Sequence, residues 1–122
     1  MTITLSDWQQ IFKVLHDKVW NQSTAWRNEP CTWPQVKGIN ILLREGLMMD
    51  PSRECKLHVV RRIIGRDIES TNFLTKIEAH TLINILKDEK NSTEKEWKLS
   101  DDGHQLLELA ELEYVEITYA PA

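Results

Sequence analysis

Arg61, Arg62 and Arg66 stand close together in RRIIGRDIES, shortly before Thr75-Lys-Ile-Glu78, which reads as a helix start. Guanidinium groups grip carboxylates and phosphates through forked, charge-assisted hydrogen bonds, so a knot of three predicts recognition of an anion. Lys37 is a candidate fourth cation. An acidic peptide with an apolar tip needs such cations beside a hydrophobic groove that buries the tip. In the competing reading Arg61 and Arg62 pair with Glu54 or Asp67 and only solubilise their helix.

Other chemistry finds little footing. Cys55 and His58, three apart, can face one ion, but Cys31, His16, His80 and His104 supply no paired ligand spacing, so neither metal nor cofactor is expected. There is no glycine-bounded serine and no phosphate-binding loop, and an enzyme is not expected. Five tryptophans raise the question of base stacking, which needs cations tracking the phosphates. Trp8 falls on an apolar helix face, while Trp20, Trp26 and Trp33 surround a turn with few cations. That setting suggests core fillers or a protein-binding hot spot, with direct nucleic-acid binding weak or absent.

A chain of 122 residues favours one domain with one core. No apolar run approaches the ~18 residues of a membrane span, and Met-Thr-Ile-Thr-Leu-Ser-Asp at the start lacks the pattern of a signal peptide. Two cysteines make no disulfide framework, so reduced thiols and a cytoplasmic location are expected. Charge is segregated: residues 31–76 carry eight basic and five acidic side chains, residues 77–122 four and eleven. Opposite-sign surfaces of this kind can steer different partners.

Helical signals recur along the chain. Ser6-Asp-Trp-Gln9 and Thr32-Trp-Pro-Gln35 fit the capping box. Trp8, Ile11, Phe12, Leu15 and Val19 follow the first, and Val36, Ile39, Leu43 and Leu47 the second, at the spacing of one helical face. Gly46 ends the second helix. Asp50-Pro51 predicts the start of a third and Gly65 its end, with Glu54, His58, Arg61 and Arg62 on a wet face. Ala79, Leu82, Ile83 and Leu86 form the buried face of a fourth. KDEKNSTEKEWK, residues 87–98, reads as a solvated connection pinned at Trp97, and Ser100-Asp-Asp102 caps a fifth helix containing Leu106, Leu107 and Ala110. Tyr114–Tyr119 alternates like a short strand, which would pair with another chain or lie across the helices. The expected architecture is an all-α or mainly α bundle of four to five helices. Its parts are a Trp-rich helix and turn (1–30), a three-helix docking module (32–88) and an acidic C-terminal segment (99–119).

The order QVKGINILL, then Arg61 to Ile68, then FLTKIEAHTLINIL, is similar to the C-terminal domain of the phage lambda Red beta family of single-strand annealing proteins. Ile39-Asn40, Leu42-Leu43, Arg66-Asp67-Ile68, Leu74-Thr75 and Glu78-Ala79 carry the resemblance, which covers about residues 35–90. It implies a small helical docking piece, separate from the part that grips DNA, which engages a partner exonuclease and the acidic tail of a single-strand DNA-binding protein. Annealing itself is not implied, because the annealing part has no counterpart here.

Two functions follow. The first is a non-enzymatic adaptor in phage-type or mobile-element recombination or replication, using Lys37, Arg61, Arg62 and Arg66. The second is a phage-encoded inhibitor in which Asp101, Asp102, Glu108, Glu111, Glu113 and Glu116 mimic DNA phosphates before a host nuclease or other DNA-binding enzyme.

Overall fold

In the computed structural model, which describes residues 3–119, the chain forms α1 (Leu5–Gln22), α2 (Trp33–Gly46), α3 (Arg53–Ile64), α4 (Lys76–Leu86) and α5 (Asp101–Thr118). The fold is a small all-α bundle, as the helical periodicity predicts. Three starts lie where the sequence puts them. Thr32 accepts from the Gln35 amide and Thr75 from the Glu78 amide, while each cap residue's own N–H donates back to the Gln35 or Glu78 side chain at 2.9 Å. Ser100 accepts from Gly103 N–H at 2.9 Å and donates its hydroxyl to Ile85 O, fastening the start of α5 to the end of α4. Gly65 ends α3 in the left-handed region at φ 72°, where a side chain would be strained.

Two starts differ from expectation. α1 begins at Thr4, not Ser6: Thr4 N–H reaches the Asp7 carboxylate at 2.9 Å, a charge-assisted bond at the positive end of the helix that Gln9 cannot match. α3 is capped by Ser52, not Asp50, because the Asp50 carboxylate is occupied in accepting from Ser52 N–H at 3.0 Å.

The strand expected at residues 114–119 is absent, since α5 continues to Thr118 and Tyr119 caps it. Alternation in YVEITY satisfies a strand period, but it also continues a helical seam. Leu106, Leu107, Ala110 and Glu111 are buried, and one turn further Glu113 and Tyr114 reach His58 of α3. An isolated strand would have left its backbone unpaired, whereas the helix satisfies it internally.

Packing is dominated by the terminal helices. α1 lies against α3 and α4, and α5 against α2, α3 and α4. The expected three-helix set of residues 32–88 therefore does not close on itself: α2 packs on α4, but α3 is held chiefly by α1 and α5. The core joins Ile39, Leu42 and Leu43 to Val59, Ile63, Leu82, Leu86, Leu106 and Leu107, with Trp8 and Phe12 added by α1. Each such side chain contributes about 1.5–3 kcal/mol by leaving water.

One charged group sits within this packing. Glu111, only 2% exposed, accepts from the backbone N–H groups of Met48, Met49 and Asp50 at 3.1, 3.0 and 2.9 Å. It organises the whole turn between α2 and α3. Replacing Glu111 with alanine should lower stability by about 3 kcal/mol in urea unfolding, because three donors lose their acceptor. Glu108→Ala, on the exposed side of the same helix, should cost less than about 0.5 kcal/mol. Equal losses would overturn the assignment.

Candidate partner-binding surface

The arginine knot is largely engaged within the fold. Arg66 makes a forked pair with Glu78, at 3.0 Å from Nε and 2.7 Å from one Nη, and also donates to Phe73 O. Arg62 forks onto Glu113 at 2.7 and 3.1 Å, and His58 Nε2 lies 2.9 Å from the same carboxylate. Arg61 donates its Nε to Ile68 O at 2.7 Å and lines, with Arg66, Ile68 and Phe73, a cleft of about 530 Å³. Asp67 and Glu69 also line that cleft, so it is not a purely cationic one. The pairing expected with Glu54 or Asp67 is replaced by Glu113 for Arg62, and the wet face of α3 is partly covered by α5.

The acidic set divides as well. Asp101, Asp102, Glu108 and Glu116 are exposed, while Glu111 is buried and Glu113 bridges to α3. Burial pushes the Glu78 carboxyl up, but hydrogen bonds from Arg66 and Thr75 outweigh it and hold the group below the ordinary glutamate range. The Arg62 guanidinium, aided by His58, does the same for Glu113. Burial pushes the Cys55 thiol up to about 11, with Glu111 and Asp50 reinforcing the shift. Among the described residues no three His, Cys, Asp or Glu side chains gather as a metal site, and no helix is long and apolar enough to cross a membrane.

Among the described residues Arg61 has no carboxylate within salt-bridge distance, and further cations of that kind lie on and beside the outward face of α2. Ile39, Leu42, Leu43 and Gly46 point into the core. Opposite them Trp33, Lys37, Asn40, Ile41 and Arg44 recur at three- and four-residue spacing. Beside Arg44 a cleft of about 350 Å³ is lined by Asn40, Arg53 and Lys56, with Ser70 and Thr71 supplying hydroxyls. No acidic residue lines it. Arg53 and Lys56 come from the first turns of α3, and Arg53 is steadied by donating to Glu69 O at 3.2 Å. Among the described residues Lys37, Arg44, Arg53, Lys56 and Lys95 have no carboxylate within salt-bridge distance.

At the other end of the same face a cleft of about 260 Å³ is lined by Trp33, Pro34, Ile41 and Trp97, with Lys37, Lys95 and Glu94 as its charged groups. Trp97 is seated against Gly38, where any Cβ would overlap its six-membered ring. The Trp33 indole is 72% exposed with Lys37 Nζ 5.2 Å from its centre. Trp20 and Trp26 are placed differently: Arg27 covers one, and Lys76 and His80 contact the other. Of the expected site residues, Lys37 alone belongs to the α2 face. Arg44, Arg53, Lys56 and Lys95 were not singled out from the sequence, and Trp97 was expected only as the pin of its connection. The signal for Arg44 was present, since Lys37, Asn40 and Arg44 oppose the apolar stripe of their helix.

No protein-family model matches this chain, and no curated protein or solved structure does either. The likeness to the Red beta C-terminal domain therefore rests on the residues quoted for it, and the fold defines the protein as a five-helix all-α bundle.

Because Glu78 and Glu113 titrate lower in the folded chain than when unfolded, each adds stability above the ordinary glutamate value of about 4.3, and that stability is lost as pH falls through the folded values. Thermal unfolding followed from about pH 6 to about pH 3 should show a falling midpoint, less steep in Glu113→Gln. An identical slope in that variant would remove Glu113 from the explanation.

Proposed function

We propose that this chain is a non-enzymatic docking module that recruits a partner protein by holding an acidic segment along the outward face of α2. The reading is carried by the cleft of Arg44, Arg53 and Lys56, where three cations converge with Asn40, Ser70 and Thr71 and no acidic residue. Carboxylates of an incoming peptide would meet charge-assisted donors and neutral hydrogen-bonding groups without displacing an internal salt bridge. The likeness to the Red beta C-terminal domain adds a setting, recruitment at phage-type recombination or replication sites. It also adds a candidate partner, the acidic tail of a single-strand DNA-binding protein, with a nuclease as the alternative client.

Docking thus moves from the arginine knot to the α2 face, since Arg62 and Arg66 hold internal carboxylates. A nucleic-acid strand is the weaker candidate. Trp33 is the one tryptophan more than half exposed among the described residues, where strand binding favours successive stacking platforms. The acidic-mimic reading finds less support because Glu111 and Glu113 face inward.

Fluorescence anisotropy with a labelled acidic tail peptide tests the proposal. Binding to the intact chain should fall in the micromolar range expected of a small transient contact, weaken with salt, and drop about tenfold or more in Arg44→Glu/Lys56→Glu. Unchanged affinity in that variant, or tighter binding of a single-stranded oligonucleotide than of the peptide, would overturn it.

A further inference from the structure

We infer that α1, a helix with no part in the basic cleft, is a self-association face on which a second copy of this chain lays its own α1 antiparallel to form a two-fold dimer. The basis is an exposed seam on α1 whose order of side chains is complementary to its own reverse.

Sequence periodicity puts Trp8, Ile11, Phe12, Leu15 and Val19 on one buried face, but the bundle covers only part of that arc. Trp8 and Phe12 enter the core, whereas Ile11 keeps 37%, Leu15 38% and Val14 65% of their surface in water. This flank is what remains uncovered after α1 has packed on α3, α4 and α5. Single exposed apolar residues are ordinary on any surface. At about 100° per residue, however, Ile11, Val14 and Leu15 fall within one contiguous arc of the helix and make a patch.

The charges at its ends identify the occupant. Asp7, Ile11, Val14 and Lys18 recur at spacings of four, three and four, the seam of a paired helix. Laid antiparallel about the midpoint between Phe12 and Lys13, this seam meets its own copy in register. Ile11 then faces Val14 of the second copy, Val14 faces Ile11, and each Asp7 faces a Lys18. A parallel pair would instead set Asp7 against Asp7 and Lys18 against Lys18, like charge on like. Both end groups have capacity to spare. Among the described residues Lys18 has no carboxylate within salt-bridge distance and Asp7 no cation, and Thr4 N–H occupies only Oδ2 of Asp7. The same patch serves both copies, so the contact closes at two.

Its strength follows from its size. A helix of 18 residues offers a strip about 27 Å long and about 10 Å wide, short of the ~800 Å² per partner of a standard stable interface. The dimer is therefore a weak one, with a dissociation constant on the order of 100 µM.

Sedimentation equilibrium of the intact chain between about 10 µM and about 1 mM tests this. The average mass should rise from one chain toward two and no further. Val14→Glu should bind its own copy at least tenfold more weakly, with its unfolding midpoint at low concentration unchanged. Lys18→Glu, which sets an acid against Asp7 at both ends, should also weaken association about tenfold, and Lys18→Arg should retain it. In a mixture of isotope-labelled and unlabelled chains, intermolecular NOEs should join Ile11 methyls to Val14 methyls. Wild type that stays one chain at about 1 mM would overturn the dimer. So would growth beyond two copies, or association that either glutamate substitution leaves undiminished. If Val14→Glu does not fold, the fully exposed Lys18 substitution decides.

Discussion

A carboxylate buried in the middle of the bundle sets the geometry on which the surface depends. Glu111 receives three successive backbone N–H groups from the turn joining α2 to α3, and thereby fixes where α3 departs. Removing a carboxylate from water costs several kcal/mol, and each hydrogen bond to a charged group returns about 1.5–3 kcal/mol, so three bonds are of the size needed to offset it. The first turns of α3, carrying Arg53 and Lys56, leave that turn close to Arg44 at the end of α2. The acidic helix thus positions the basic cleft from the far side of the turn.

The same division runs through the remaining charges. Glu113 and Glu78 hold Arg62 and Arg66 in forked pairs that tie α5 to α3 and the start of α4 to the turn before it. Such pairs act as clamps more than as net stabilisers, because ordering and desolvation consume much of their attraction. Their consequence is positional: Arg62 and Arg66 are fastened inward, while among the described residues Arg61, Arg44, Arg53 and Lys56 have no carboxylate within salt-bridge distance.

That outcome explains which features were legible in the sequence. Caps at Thr32, Thr75 and Ser100, and the glycine end of α3, depend on residues within one turn, and they stand where the sequence places them. Overlapping local signals produced the shifts at Thr4 and Ser52, since two capping residues compete within a few positions of each helix start. YVEITY was misread because its two periods are locally equivalent, and contacts distant in sequence, Tyr114 with His58 and the Tyr119 hydroxyl donating to Asp50, go with the helix. The partner surface was least legible. Arg44, Arg53 and Lys56 meet only after folding, and their neighbours Ser70 and Thr71 come from a turn with no strong pattern of its own. Trp97 could be recognised as a pin in a polar connection, but its seat at Gly38 is a long-range fact.

Bringing Arg44, Arg53 and Lys56 around one hollow with no acidic residue lining it works against folding, since like charges repel and nothing within the cleft relieves them. Glutamates elsewhere in the chain are used as counterions, for Arg62, Arg66, Lys76 and Lys87, so acidic partners are not scarce. A net charge of −4 makes the omission sharper. Local departures from electrostatic consistency concentrate where a protein meets a ligand, because the missing counter-charge arrives with it. An exposed Trp33 on the same helix face is a second departure, in hydrophobic rather than electrostatic terms.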